Sequence, residues 1–322
     1  MSSEHITVST FEEIDKEQFC MLHSIAFKEL IQQSKISEEL FTVEHYTWKY
    51  NSPAGKAKIA VIQQHDKLVG SVSMFPVTLI KGNRLFTAWN AGDVAVLPEY
   101  RGKFFFNQCM NALKKSSGEN DFLFGFPNHN NLAGATRSGF KYIKDLQFYI
   151  KPYFFTNGKR LENQGELFSA LQDQYAETLA RGRTMILRSS AYMKWRYLKK
   201  PGTNYLCYTY NEGTRILGNV VVRVVKRKSI KVLVVMEYHY IDRKAISFLN
   251  RFIGQSAIKN KCVTVVMLSA RDQFNSDRTG FFRLPELFQP KKMVFYGNPL
   301  KEEDKALLNV SWFIQTGDWD AF

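Results

Sequence analysis

Three sets of residues combine types and spacings that suit chemistry. The first runs Asp93-Val94-Ala95-Val96-Leu97, then Pro98, then Arg101-Gly102-Lys103-Phe104-Phe105-Phe106. The apolar run predicts a buried strand from Asp93 to Leu97, Pro98 stops it, and the basic loop opens a predicted helix. A strand that feeds a helix N-terminus presents unpaired backbone N–H groups and the positive end of the helix dipole to an anion. Arg101 and Lys103 add full positive charges at that point. The second set is Asn128-His129, at the mouth of the apolar run Phe122–Phe126. Imidazole titrates at about pH 6.5 and so moves protons near neutrality, which makes His129 the best placed of the six histidines for a general base. The third set is acidic. Asp93 heads the first strand, and Asp318 and Asp320 lie in the closing Gly317-Asp318-Trp319-Asp320-Ala321-Phe322. An aromatic-rich end predicts docking rather than fraying.

The elements that hold these residues come in two similar runs. Residues 11–35 predict one or two helices from the spacing of Phe11, Ile14, Phe19, Leu22 and Phe27. Antiparallel strands follow at 57–64 and 68–80, joined at His65-Asp66-Lys67. Strand 92–97, helix 103–115, strand 121–126, helix 130–138 and strand 141–150 complete the first run. The second run predicts helix 165–180, strands 204–210, 215–226 and 230–241, helix 243–259, strand 262–268 and a closing strand near 291–297. The polar, glycine-containing stretch at 156–165 predicts the boundary.

The runs share landmarks, as a duplicated domain requires. Tyr-Thr-Trp48-Lys-Tyr50 is echoed 147 positions later by Met-Lys-Trp195-Arg-Tyr197. Gly70 and Gly218 follow the tryptophans at nearly equal distance, and Arg137-Ser138-Gly139-Phe140 reappears as Arg278-Thr279-Gly280-Phe281. The strand of the second run continues into Asp242-Arg243-Lys244-Ala245, with no basic glycine loop.

The stretch from Asp93 to Phe106, with Asn128 eleven residues ahead of Gly139-Phe140, resembles the acyl-CoA site of the GNAT N-acyltransferase superfamily. The resemblance implies an α/β fold of α+β type. Two tandem GNAT-like domains, 1–155 and 156–322, would each hold a mixed, mostly antiparallel sheet flanked by helices. It also implies acetyl-CoA, or another acyl-CoA, as co-substrate and no metal. Val94, Ala95 and Val96 would hold the pantetheine arm. Arg101 to Phe106 would wrap the pyrophosphate, with Asn128 and Asn131 beside them. The family loop has small residues where this chain has Phe104 and Phe106, and a tyrosine acid where it has Ala135. Candidate bases are His129, Asp93 and, by similarity to tandem members that bring their C-terminus to the active site, Asp318 and Asp320. A looser similarity to GNAT proteins of bacterial surface-polysaccharide loci implies a nucleotide-linked or lipid-linked amino sugar as the amine acceptor. Two other readings stay open. One is a binding module of the same fold that has lost catalysis; the other is an aminoacyl transferase that uses charged tRNA.

Bulk properties agree with a globular protein that meets anions. Hydrophobic residues make up 45% and charged residues 23%, and the net charge is +14. Cys20, Cys109, Cys207 and Cys262 form no C-x-x-C pair, so neither a zinc site nor a disulfide framework is expected. The N-terminus has no signal-peptide pattern and no apolar run approaches the ~20 residues of a membrane span, so a cytoplasmic location is expected. The basic run Lys226–Lys231 falls between two predicted strands and reads as a solvated turn, not a nucleic-acid contact.

Overall fold

The computed structural model describes residues 5–28, 41–118, 122–153, 159–162, 169–227, 229–270, 279–289 and 292–319. The strands of the first half are β1 (His5–Ser9), β2 (Asn51–Ser52), β3 (Gly55–Lys56), β4 (Lys58–Gln64), β5 (Lys67–Lys81), β6 (Arg84–Val96), β7 (Phe122–Gly125) and β8 (Lys141–Lys151). Those of the second half are β9 (Thr184–Ile186), β10 (Leu206–Glu212), β11 (Arg215–Arg227), β12 (Ile230–Tyr240), β13 (Thr264–Ala270), β14 (Phe282–Arg283) and β15 (Met293–Pro299). The helices are α1 (Lys16–Ala26), α2 (Val43–Tyr50), α3 (Phe105–Ser116), α4 (Leu132–Arg137), α5 (Ala170–Leu179), α6 (Ser190–Met193) and α7 (Lys244–Lys259). A π-helical turn, Lys194–Leu198, extends α6.

Local chemistry sets these elements. Asp15 and Thr42 cap α1 and α2 by accepting the Gln18 and His45 N–H groups. β5 is buried along nearly its whole length, as a strand covered on both faces must be. Helix α3 turns Phe105, Cys109, Met110 and Leu113 inward and leaves Lys115 exposed, while Lys114 is half-buried and donates to the Ser138 carbonyl.

Thirteen strands among the described residues form one sheet, with the order β1-β4-β5-β6-β7-β15-β8-β13-β12-β11-β10; β9 joins β5 and β14 joins β8. The order repeats from both ends: β4-β5-β6-β7 on one side, β10-β11-β12-β13 on the other. β6–β7 and β12–β13 are parallel, and the other ladders of the sheet among the described residues are antiparallel. Parallel neighbours need a crossover, which α3 and α7 supply.

In the middle, β15 lies between β7 and the first part of β8. The second part of β8 pairs with β13 and with β14. The expected mixed, mostly antiparallel sheet flanked by helices is therefore present, but as one sheet shared by both halves rather than two separate ones. The main hydrophobic core is likewise continuous, running from Phe11 to Ile314.

Candidate active site

The parallel ladder of β6 and β7 ends at the pair Ala91–Gly125. A Cβ on Gly125 would lie 3.0 Å from the Ala91 carbonyl oxygen, so glycine permits this close last rung. Beyond it the two strands part. On its other edge β6 carries a bulge: Ser71 faces Ala95 and Ser73 faces Gly92, so Asp93 and Val94 together oppose Val72. Asp93 takes φ 48°, a left-handed conformation that aspartate tolerates better than most residues. Bulges of this kind re-aim side chains and free backbone from the ladder.

Asp93 is held by two neighbours from α2. Lys49 Nζ lies 2.8 Å from its Oδ1 and 2.7 Å from its Oδ2, and Tyr50 donates to Oδ2 at 2.8 Å. The lysine is only 5% exposed. Tyr50 Oη also lies 2.9 Å from Ser73 Oγ. Burial, and after it the nearby Asp93 carboxylate, hold the Tyr50 phenol well above its ordinary pKa, so it stays protonated. His23 is fully buried, with Nε2 2.9 Å from Ser71 Oγ. Burial pushes its pKa down to about 4, against the pull of Asp93. Lys49, Tyr50 and His23 were not among the expected site residues. The available signal was Lys49 itself, a charge flanked by two aromatics on a segment that has to pack.

Two cavities meet at this carboxylate. One, of about 200 Å³, has Asp93, Val94, Phe106, Asn128, Asn131 and Ala135 in its wall. The other, of about 190 Å³, is walled by Lys49, Phe75, Asn90, Asp93, Phe126 and Trp319, with Ala91 and Gly92. Both include Ala91, Gly92, Asp93 and Phe126. A larger cleft of about 570 Å³ lies over Trp48 and Trp195, but its wall offers Lys194 and Lys199 and no carboxylate or histidine. Size therefore does not locate the chemistry here; the acid and the bulge do.

The basic loop borders the first cavity. Gly102 has φ 86° with open space where a Cβ would be, and Phe104 caps α3 at φ 59° with no side-chain capping bond. Phe104 thus adopts the left-handed conformation that glycine favours, at a cost of about 1–2 kcal/mol. Its ring is 63% exposed, stands outside the cavity wall and has the Arg137 guanidinium 5.5 Å from its centre. Phe106 packs over Gly134, where a Cβ would come within 2.9 Å of the ring. Arg101 reaches the Val96 carbonyl at 3.4 Å and the Ala26 carbonyl at 3.2 Å, tying the loop to β6 and to α1. Lys103 lies over the rings of Tyr100 and the buried Phe105. The first turn of α3 and these cations make a rim suited to an anion.

The remaining candidates separate. Ala95 returns to the β5 ladder opposite Ser71 and is buried. Asn128 caps the turn His129–Asn131 by accepting the Asn131 N–H at 3.1 Å, and His129 opens that turn.

Asp318 does not fit its expected role as a base. It is 3% exposed, accepts Arg188 Nη2 at 2.8 Å and the Gln315 N–H at 2.9 Å, and lines neither cavity. Burial, with Arg188 and the Gln315 N–H both held on its Oδ2, makes it an anchor for the C-terminal segment. Asp320 lies outside the described residues.

The partner of Asp318 reveals a second, closed version of the same arrangement. Gly70 pairs with Val96 and Gly218 pairs with Tyr240; three residues before those partners stand Asp93 and Glu237. β12 is bulged there as well, with Met236 as its extra residue. Tyr197 donates to Glu237 at 2.5 Å, as Tyr50 does to Asp93. The space where β12 and β13 diverge is filled, however. The Gln315 amide bonds the Tyr238 N–H at 2.8 Å and the Tyr238 carbonyl at 2.6 Å, and Thr316 Oγ1 accepts the Leu268 N–H at 2.8 Å. Arg188 joins Glu237 at 3.3 Å and Asp318 at 2.8 Å, all three fully buried at the side chain. Burial raises the Glu237 carboxyl pKa, with Arg188 opposing. A Cβ on Gly317 would strike the Tyr197 hydroxyl and Glu237, so only glycine lets the segment approach this closely.

The first half of the chain, which holds the strand-to-helix loop, the bulged strand and its splay from the parallel neighbour, has a counterpart among known protein families. Residues 7–142 match the acetyltransferase (GNAT) domain. That domain contains Lys49, Asp93, the 101–106 loop and Asn128. A comparison with curated protein sequences finds no match.

Solved structures share the fold over nearly the whole chain. A GCN5-related N-acetyltransferase of Anabaena variabilis aligns with a TM-score of 0.64 at 12% identity, covering 92% of this chain and 73% of that one. A conserved protein of Enterococcus faecalis, described as a probable N-acyltransferase, gives 0.62 at 14%, covering 92% and 72%. The N-myristoyltransferase of Saccharomyces cerevisiae, solved with myristoyl-CoA bound, gives 0.58 at 11%, covering 91% and 82%. At these identities the likeness is one of fold: the chain has the GNAT fold. No helix among the described residues is long and apolar enough to cross a membrane, and no group of three or more His, Cys, Asp or Glu among them is placed to hold a metal ion.

Proposed function

We propose that this chain is an acyl-CoA-dependent N-acyltransferase built from two GNAT-like copies, 1–155 and 156–322, with one working site in the first. The observation that carries this reading is the contrast between the two splays. The one between β6 and β7 holds an open cavity with Asp93 at its edge. The one between β12 and β13 is filled by Gln315 and Thr316.

The residues present fit the donor. The arm of an acyl-CoA would lie along Val94–Val96, and its phosphates would face the start of α3 with Arg101 and Lys103. The conformations at Gly102 and Phe104 are those such a loop needs, and the Phe104 ring leaves the cavity free. The donor supplies an activated acyl carbonyl. Backbone N–H groups at the Asp93–Val94 bulge are suited to polarise it. Asp93 takes the proton from the acceptor ammonium; Lys49 and Tyr50 orient its carboxylate. The new C–N bond forms as the C–S bond breaks. Ala135 provides no acid for the leaving thiolate, so that proton comes from solvent. An acetyl group and an amino-sugar acceptor are our preferred substrates, the latter on the looser polysaccharide-locus similarity.

The test is a calorimetric titration of acetyl-CoA into the full chain and into Arg101→Ala, followed by transfer assays. Binding at one site per chain, weakened several-fold in Arg101→Ala, is expected. A blank titration in the parent protein would overturn the reading. Binding without transfer to any amine would favour a non-catalytic module, a reading that Ala135 in the cavity wall specifically favours.

A further inference from the structure

The C-terminal segment connects the filled splay to the open site. The 3-10 turn Thr316–Asp318 is fixed by a capping box, in which the Gln315 side chain and the Asp318 carboxylate each satisfy the other's backbone. Arg188 clamps Asp318 from below, and Trp319 N–H closes the turn onto the Thr316 carbonyl at 3.2 Å. The next side chain, Trp319, is in the wall of the 190 Å³ cavity, together with Asp93. A residue near the chain end is thereby held by the second half of the molecule at a site in the first.

The cavity's chemistry is specific. Asp93, with Lys49 beside it in the same wall, supplies a carboxylate for an ammonium group, and Asn90 supplies an amide. Phe75, Phe126 and Trp319 supply aromatic surface. Drug-sized pockets span about 300–1,000 Å³, so a cavity of about 190 Å³ takes a small group rather than a folded peptide or a whole nucleotide. We propose that Trp319 determines acceptor specificity, and that the pocket takes a primary amine carried on a small ring with an apolar face. This rests on the acyl-transfer reading of Asp93. An amino sugar, through the C–H face of its ring, and an arylalkylamine share the required chemistry.

The experiment uses the full chain with acetyl-CoA as donor and three acceptors: glucosamine, tyramine and the linear diamine cadaverine. Kinetic constants are measured for the parent protein, Trp319→Ala and Trp319→Phe, with acetyl-CoA affinity measured by calorimetry for each. One of the ring amines is expected to exceed cadaverine in kcat/KM by tenfold or more, and which of them does so identifies the source. Trp319→Ala should bring that ratio close to one through a rise in the ring amine's KM. Acetyl-CoA affinity should shift less than twofold, and Trp319→Phe should restore most of the preference. An unchanged ratio in Trp319→Ala, or a parent protein that binds acetyl-CoA but handles linear and ring amines alike or acylates none of them, would overturn the proposal. Failure to bind acetyl-CoA at all would instead remove the reading on which it rests.

Discussion

Trp48 and Trp195, one from each half of the chain, clasp each other. The Trp48 indole N–H donates to the Trp195 carbonyl at 2.7 Å, and the Trp195 indole N–H returns the bond to the Trp48 carbonyl at 2.9 Å. Their rings stack with centroids 5.2 Å apart and planes 20° from parallel. The two bonds have the same form, which an approximate twofold relation between the halves would produce. The same relation would match Tyr50–Asp93 with Tyr197–Glu237, and it supports the proposed duplication.

A clasp of this kind has a measurable consequence. Trp48→Phe and Trp195→Phe should each lower stability by about 1–3 kcal/mol, because each removes a buried indole hydrogen bond; the Trp48 carbonyl still accepts the Asn51 N–H, so Trp195→Phe should be the milder of the two. The double variant should lose less than the sum of the two, since both changes act on one stacked pair. Urea denaturation of the three variants measures this; strict additivity would show that the two rings act independently.

Much of this arrangement was legible in the sequence, and the reasons for the misses are physical. The repeated W-x-Y and G-F landmarks mark buried aromatics and left-handed glycines, Gly139 and Gly280, whose roles are local. Strands β10, β11 and β12 read clearly because their apolar runs are bounded by turns. By contrast, β6 begins at Arg84, well before the expected residue 92, because Thr87, Asn90 and Gly92 break its apolar pattern. Asn90 is nonetheless buried. The exchange of β8 and β15 depends on which edges meet in space, and no residue type announces that. Asp318 was visible as an acid near an aromatic end, but its partner Arg188 lies 130 residues away. Distance in sequence hid the ion pair that decides its role.

The role of Asp93 can be separated from a role in holding the site together. Asp93→Asn keeps a polar group against Lys49 and Tyr50 but cannot accept the acceptor's proton. Turnover should fall by about 10²–10⁴-fold, with little change in acetyl-CoA affinity. Steady-state kinetics beside calorimetry tests this. Loss of acetyl-CoA binding in that variant would reassign Asp93 to shaping the bulge.

His23 makes stability depend on acidity. Its pKa is about 4 in the fold, below the ordinary value of 6.5, so between those values the unfolded chain binds a proton that the folded chain refuses. Stability is therefore full above about pH 6.5 and is lost as pH falls toward 4, by up to about 3 kcal/mol from this residue. Burial also holds His239 well below its usual value, with Arg188 adding to the effect, and it acts in the same direction. His23→Gln retains a donor and acceptor for Ser71 but has no proton to gain. Thermal midpoints measured from pH 4 to 7 should fall less steeply for that variant than for the parent protein. Parallel curves would show that His23 takes up its proton as readily in the fold as in the unfolded chain.

Arg188 tests whether the C-terminal segment is held by charge. It stands between Glu237 and Asp318 with no exposed surface, and both carboxylates depend on it. Arg188→Met would leave two buried acids facing each other, a change that costs about 3–5 kcal/mol when one partner of a buried pair is removed. Asp318→Asn should cost less, because the amide oxygen can still accept the Gln315 N–H while Glu237 continues to balance the guanidinium. The expected order of stability in denaturant is parent, then Asp318→Asn, then Arg188→Met. Limited proteolysis should show the C-terminal segment cleaved first in both variants. A segment that stays protected in Arg188→Met would mean that the Gln315 and Thr316 bonds to β12 and β13 are sufficient to hold it, with the ion cluster adding nothing.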